Sequence, residues 1–409
     1  MGWKGVTVMD QRVRFIAEYL KGYFPFSELC LEFSISRKTG YKWVERYEQG
    51  GSAGLADRSR RPHSCPHETN NAFIEALVQA RMKHPSWGPK KLLEIIAPHY
   101  KVLPAISTAA DILKRKGLIF PGKRRLRRKH PGCPKTIAQE SNDIWTADYK
   151  GHFKMRNGLY CYPLTVCDMR SRYLLGCHAH EAISLQETKR HFTALFHEYG
   201  LPLRIRTDNG VPFASNALAR LSTLSVWWVK LGIYPEQIEP GKPQQNGKHE
   251  RMHRTLKKEA TIPPEKNLPA QQERFDIFRE EYNTERPHEA LSMKTPSHVY
   301  CPSERTMPKK LGHYDYPNHF EVRRVSRNSG IRWKSRWVQV SSTLAEEYIG
   351  FEEVEDGIHN VYFCELLIGR FIEEDMKIED VIKRVPIRQT LVECGNPRTR
   401  RKVSPMSLE

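Results

Sequence analysis

Along the first 120 residues, apolar side chains return every three or four positions, the period of an amphipathic helix. Val13, Ile16 and Leu20 share one face of a helix expected over 10–21. Ser27 is placed to cap a second helix over 28–33, Ser34-Ile35 makes a tight turn, and Ser36 is placed to cap a third over 37–48. That third helix turns Trp43, Val44 and Tyr47 inward. Further helices are expected over 68–83, over 90–97 behind Pro89, and over 108–116 between Ser107 and Gly117. The pattern then becomes strand-like: strands over 144–149, 160–168 and 173–178, a helix over 185–199, a strand over 204–207, a helix over 217–231, a short strand near Ile238 and a helix from Lys248. Beyond residue 308, short β-rich runs at 320–325, 332–340, 347–353 and 360–368 are punctuated by Gly330, Gly350, Gly357 and Gly369. That spacing predicts a small antiparallel barrel.

At roughly 150 residues per domain, the 409 residues suggest about three domains. The expected division is a helix-turn-helix domain at 1–63, a second helical domain at 64–120, a basic linker at 121–140, a mixed α/β domain at 141–302, the β-barrel at 308–380 and a basic tail at 381–409 expected to be disordered. The fold class is therefore multidomain: α, then α/β, then β.

The formal charge of +19 points to a polyanionic partner. The chain lacks an apolar run of the ~18 residues that span a bilayer, a signal peptide and a lipidation motif, so a membrane partner is not expected. Nine cysteines without a C-x-x-C pair suggest reduced thiols in a cytoplasm, and no zinc-finger spacing is legible.

The chemistry concentrates in three stretches. Residues 143–151 read D-I-W-T-A-D-Y-K-G and residues 203–210 read L-R-I-R-T-D-N-G; each delivers an Asp at the end of an apolar run. Strand ends are where an α/β sheet presents its reactive groups. Residues 238–258, I-E-P-G-K-P-Q-Q-N-G-K-H-E-R-M-H-R-T-L-K-K, join a loop expected to be mobile over 240–247 to a cationic helix carrying Glu250, Arg254 and Lys257 on one face. Asp148, Asp208 and Glu250 would make three carboxylates, hard oxygen ligands that suit magnesium rather than zinc. Asp168 ends a strand before a turn, and turn capping is its expected role.

In these motifs, and in Y-N-T-E-R-P-H-E-A-L at 282–291 followed by Thr295-Pro296, the chain resembles insertion-sequence transposases of the retroviral-integrase superfamily. The resemblance implies a ribonuclease H-like central fold. It implies Asp148, Asp208 and Glu250 as catalytic and metal-binding residues, with Asp148 bridging two Mg²⁺ ions (Mn²⁺ as a substitute) and each other acid holding one. It further implies hydrolysis at transposon ends, transfer of the 3′ hydroxyl strand into target DNA, a homo-oligomer of at least two copies, and a bacterial, nucleoid-associated protein. One departure is visible: 41 residues (209–249) separate Asp208 from Glu250, where the resemblance implies about thirty-five. The surplus is expected near 221–225.

Helix, turn, helix with a basic N-terminal end is a major-groove reader. Candidate DNA contacts there are Arg37, Lys38, Thr39, Tyr41 and Lys42, followed by Arg58, Arg60 and Arg61 in a basic loop. In the linker they are Lys123, Arg124, Arg125, Arg127 and Arg128. Near the acids, Asn209, Gln245, Asn246 and Lys248 are candidates either to support the acids from behind or to position DNA, and His249, Arg254 and Lys257 to touch end phosphates. The second helical domain is either a second DNA-binding module or a spacer, and the β domain either contacts DNA or caps and dimerises. Two other functions fit the sequence: a sequence-specific DNA-binding protein without catalysis, and a nuclease that cuts without joining.

Overall fold

The computed structural model describes residues 7–59, 69–119, 136–239 and 242–382. Arg60, Arg61, the five linker cations from Lys123 to Arg128 and the tail from Arg384 lie outside the described residues. The chain divides into two compact units, Met1–Asn70 and Asn71–Glu409.

The first unit holds α1 (Val8–Lys21), α2 (Phe26–Glu32) and α3 (Arg37–Gly50) around Phe15, Ile16, Leu29, Cys30, Trp43, Val44 and Leu55. Ser36 caps α3 as expected, its hydroxyl accepting from the Thr39 amide. Ser27 does not cap α2; that helix starts two residues earlier than expected, at Phe26 after Pro25, without a side-chain cap. Gly40 lets α3 press against its neighbours. A Cβ there would stand 2.7 Å from Cys30 Sγ and 2.9 Å from Phe26 Cζ.

The second unit opens with α4 (Asn71–Lys83), α5 (Pro89–Ile96) and α6 (Ile106–Arg115), packed around Leu77, Trp87, Leu92 and Leu113. Pro89 takes the first turn of α5 as expected, whereas α6 begins at Ile106 without a cap from Ser107. Salt bridges carry this bundle onto the central domain: Lys83 to Glu285 at 2.9 Å, with the Arg286 guanidinium 5.4 Å from the Trp87 ring centre. Arg286 also pairs with Glu259 at 2.7 Å.

The central domain is a mixed sheet of β1 (Ile144–Tyr149), β2 (Phe153–Lys154), β3 (Tyr160–Asp168), β4 (Leu174–His180), β5 (Arg204–Thr207) and β6 (Tyr234–Gln237), with helices α7 (Leu185–Tyr199), α8 (Thr223–Lys230), α9 (Gly247–Ala260) and α10 (Leu268–Thr284). β3 pairs antiparallel with β1, β2 and β4; β1, β5 and β6 run parallel. This is the mixed sheet expected of a ribonuclease H-like domain. Alternation along β1 assigns the two faces. Trp145 and Ala147 enter a core with Phe192, Phe196 and Trp228 of α7 and α8. The opposite face receives Met252, Leu256, Phe275 and Phe278 of α9 and α10. The helix expected over 217–231 is only α8, because Ser222 starts it with a capping box. Residues Leu218–Arg220 before it form a short 3-10 turn in which Ala219 has φ +52°. The loop expected over 240–247 is also partly ordered, with Pro243–Asn246 forming a 3-10 turn.

The C-terminal region is not a closed barrel. Strands β7 (Glu321–Arg324), β8 (Gly330–Trp333), β9 (Arg336–Gln339), β10 (Tyr348–Glu355), β11 (Ile358–Phe363), β12 (Leu366–Ile372) and β13 (Lys377–Asp380) form an open five-stranded sheet, β13-β12-β11-β10-β7, and a separate β8–β9 hairpin. The sheet path ends at β7 and β13, four-residue strands with no ladder between them, so closure by hydrogen bonds does not occur. The runs at 332–340 and 360–368 each contain a turn that the β-rich composition hid. At Lys334 and Ser335 both φ angles are positive. Trp333, Phe351, Phe363 and Phe371 fill the space between sheet and hairpin, and Val226 and Val229 of α8 join the same core. Among the described residues, no helix is long and apolar enough to cross a membrane.

Gly40→Ala should destabilise the first unit by about 1–3 kcal/mol through overpacking. Hydrogen exchange of the α1–α3 amides in the full chain, wild type against variant, checks this.

Candidate active site

β1 and β5 run side by side with Ala147 opposite Thr207 as their last ladder pair. Asp148 and Asp208 occupy the next position on each strand. By alternation the Asp148 side chain leaves the face that takes Ala147 and enters the one covered by α9. Glu250 lies in the first turn of α9.

The Asp148 carboxyl is pushed up to about 7, first by burial, then by the negative charges of Asp208 and, after an opposing effect of Lys150, of Glu250. Asp208 and Glu250 are thus near enough for their charges to act on the Asp148 carboxyl. The three acids do not form a closed ligand set: among the described residues, the donor groups lying within 4.8 Å of one another are Asp148, His249 and His253, and separately His180, Glu187 and His191. Carboxylates that repel one another and offer only oxygen donors fit a hard divalent cation, which would neutralise the charge that raises Asp148.

The Asp208 carboxylate is held by its own turn. Its Oδ1 accepts from the Gly210 amide at 3.1 Å, and a Cβ on Gly210 would sit 3.0 Å from Oδ2. The T-D-N-G glycine therefore leaves room for the carboxylate. Asn209 donates to the Ile238 carbonyl at 2.9 Å and accepts from Arg220 at 3.1 Å, fixing the same turn.

Behind Asp208, the wholly buried Arg206 gathers the site's elements. It pairs with Glu236 of β6 at 2.6 Å and donates to the carbonyls of Thr136 at 2.8 Å and Gln245 at 3.2 Å. Gln245 is in the turn that launches α9.

Burial takes three of the residues expected near DNA out of its direct reach, and for Gln245 and Asn246 it leaves the alternative of supporting the acids from behind. Gln245 is buried, and its side-chain amide bonds Glu239 through both its oxygen and its nitrogen. Asn246 is buried at the start of α9. His249 is 1% exposed. Lys248 turns its ammonium to 3.5 Å from the Met169 carbonyl, and burial, then Arg172 and Arg206, pull its pKa down to about 8. Arg254 and Lys257 are exposed on α9. In the first unit Arg37, Lys38, Tyr41, Lys42 and Arg58 are exposed and Thr39 is half-buried, its hydroxyl 2.9 Å from Ser36. Tyr41 stacks on Phe26 at 4.2 Å. Asp168 accepts from the Asn142 and Ser171 amides, a structural role.

The sequence reading overlooked His253 and Thr165. Residues 249–253 spell H-E-R-M-H, the spacing by which a helix presents two histidines to zinc in metalloproteases. Here both rings turn inward. Thr165 Oγ1 lies 2.7 Å from the Nε2 atoms of His249 and His253 and 3.1 Å from the Asp148 carbonyl, and Thr146 Oγ1 lies 2.7 Å from His249 Nδ1. If the Thr165 proton goes to the carbonyl, both imidazoles must donate to its lone pairs. His253 Nδ1 is then a bare acceptor, 3.7 Å from Asp148 Oδ2. Burial lowers both histidine pKa values, that of His249 to about 3, so both rings are neutral. Three of their four ring nitrogens are engaged by hydroxyls, so this pair braces Asp148 and does not form a zinc site.

Known proteins resemble this chain domain by domain. Residues 138–243 and 231–296 match the integrase core domain, residues 11–63 a helix-turn-helix domain and residues 39–113 a homeodomain-like domain. An insertion element IS476 protein of Xanthomonas euvesicatoria is 25% identical over 60% of this chain and 69% of its own length. An insertion element IS407 protein of Burkholderia multivorans is 27% identical over 57% of this chain and 82% of its own. The catalytic core domain of HTLV-2 integrase in complex with magnesium is similar in structure, with 19% identity, a TM-score of 0.32, and coverage of 40% of this chain and 99% of that one.

Two outcomes are expected. Arg206→Met leaves Glu236 buried and unpaired, costing about 3–5 kcal/mol; adding Glu236→Leu should recover most of that, measured by chemical denaturation. Asp148 gives the second. Its carboxyl titrates near 7 folded and near 3.9 unfolded. Its stabilising contribution is therefore complete below about pH 4 and lost as pH rises through 7. In EDTA at pH 8, Asp148→Asn should melt higher than the wild type by several degrees, and Mg²⁺ should raise only the wild-type Tm. An equal or lower melting point for the variant in EDTA contradicts the uncompensated-charge argument.

Proposed function

We propose that this chain, which matches the integrase core domain over residues 138–296 and a helix-turn-helix domain ahead of it over 11–63, is a DDE transposase: it binds the ends of a DNA element, cleaves a phosphodiester there and joins the 3′ end to target DNA. The observation that supports this reading is placement: Asp148 and Asp208 directly follow the last paired residues of the parallel strands β1 and β5, and Glu250 lies in the first turn of α9, the helix over the Asp148 face.

Asp148, Asp208 and Glu250 would hold the divalent ions. When bound, such ions neutralise the phosphodiester and activate the attacking oxygen. The chain's own residues do the rest. Gly210 and Asn209 hold the Asp208 turn, Arg206 fixes that strand to the turn before α9, and Thr165 with the two neutral histidines braces Asp148 from beneath. Neutral rings leave the negative charge of the acids available to cations. Arg254 and Lys257, exposed on the helix that bears Glu250, are placed to take DNA phosphates. In the first unit, Arg37, Lys38, Tyr41 and Lys42 form the exposed start of the second helix of a helix-turn-helix, the part that enters a major groove. Cleavage and joining at two ends would require at least two copies of the chain.

A strand-transfer assay with Mg²⁺, on duplexes carrying the DNA that flanks this protein's own coding region, tests the reading. The wild type should give joined products. Asp208→Asn should give none above background while keeping wild-type affinity for the same duplexes. Loss of binding together with chemistry would remove the role given to Asp208. Cleavage without joining would favour a nuclease, and binding without either a non-catalytic DNA-binding protein.

A further inference from the structure

On the sheet face opposite the acids, β4 ends at His180 and α7 begins five residues later, bringing Glu187 and His191 beside it. One donor atom from each of these three residues lies within 4.8 Å of the others. Glu187 and His191 are four apart on α7, so they project from the same side of the helix. His180 is 5% exposed, and its buried Nε2 has no hydrogen-bond partner. A buried ring nitrogen without a partner is costly, and it stands beside a second imidazole and a carboxylate. Glu187 Oε2 is held by Arg190 at 2.6 Å, which orients the carboxylate and leaves its other oxygen available.

We infer that His180, Glu187 and His191 bind a single zinc ion, separate from the ions of the acid triad. Two imidazoles and one carboxylate are a zinc donor set with room for a water as fourth ligand. A tetrahedral ion with bonds of about 2.0–2.1 Å draws its ligands to about 3.4 Å of one another, a contraction from the present spacing of up to 4.8 Å that the side-chain torsions of Glu187 and His191 can supply. Other first-row divalent ions compete for such donors, whereas magnesium does not favour them. The His249–His253 pair differs on this point: hydroxyls already engage three of its four ring nitrogens. Burial, with neighbouring positive groups, also pulls the His191 pKa down to about 4, so the ring is a neutral ligand at physiological pH.

The site would clamp α7 to β4 close to the catalytic strand. Tyr149, which follows Asp148, packs edge-on to the His180 ring at 5.9 Å and bonds Thr188 of α7 at 2.7 Å.

The experiment uses untagged full-length protein stripped with EDTA, titrated with Zn²⁺ and separately with Co²⁺. Wild type should take up one equivalent of zinc, give the intense visible bands of tetrahedral Co²⁺, and melt at a higher temperature with zinc. Asp208→Asn should behave in the same way. His191→Asn and Glu187→Gln, at half-buried positions, should melt like wild type in EDTA but lose at least tenfold in zinc affinity and the cobalt bands. Undiminished zinc binding in both variants, no binding by wild type, or loss of the bands on His253→Asn in place of His191→Asn would each overturn the inference.

Discussion

The buried ion pair of Arg206 and Glu236 is the constraint on which the site's geometry depends. Both side chains are essentially removed from water. Taking two such charges out of solvent is expensive unless hydrogen bonds complete their shells. Here the guanidinium also donates to two backbone carbonyls, Thr136 before β1 and Gln245 before α9, and to the Met169 sulfur. One side chain, two residues ahead of Asp208, thereby sets the distance between the strand that carries one acid and the turn that launches the helix carrying another. An apolar replacement could fill that volume, but it could not hold a carbonyl of the loop.

Around that anchor, strand alternation separates two kinds of chemistry. Thr146, Asp148 and Thr165 face α9, where hydroxyls and imidazoles build a hydrogen-bonded floor under the acids. Trp145 and Ala147 face α7 and α8, where the aromatic core lies. His180 faces that second side, away from the acids, which is why two histidine groups so close in the fold have different surroundings. In one, three of four ring nitrogens meet hydroxyls; in the other, a buried nitrogen without a hydrogen-bond partner stands beside a second ring and a carboxylate.

The flanking parts attach to this domain through different physics. The α4–α6 bundle reaches it mainly through charged contacts: Lys83 with Glu285, and Arg286 between Glu259 and Trp87. The C-terminal sheet reaches it through apolar burial, with Val226 and Val229 of α8 continuous with the Trp333 and Phe351 core. Salt at high concentration weakens exposed ion pairs, so the helical bundle is the more salt-sensitive attachment.

Local information settled much of this protein from the sequence alone. Strands 144–149, 160–168 and 204–207 and the helix 185–199 were legible because their alternation or helical period is strong and turn residues bound them. Ser36 and Pro89 marked helix starts because a cap or a fixed φ acts within one turn of chain. Ser27, Ser107 and the helix expected from residue 217 misled because capping residues are common and packing decides which of them is used. The three acids could be nominated as a set from motif order, but only the folded chain could say what surrounds them. That Gln245 and His249 turn inward, that His253 lies beneath Asp148, that the C-terminal strands stop short of a barrel, and that His180 meets His191 all depend on contacts between distant segments. Such contacts leave no period in the sequence, because burial and long-range pairing are properties of the packed chain and not of any one stretch of it.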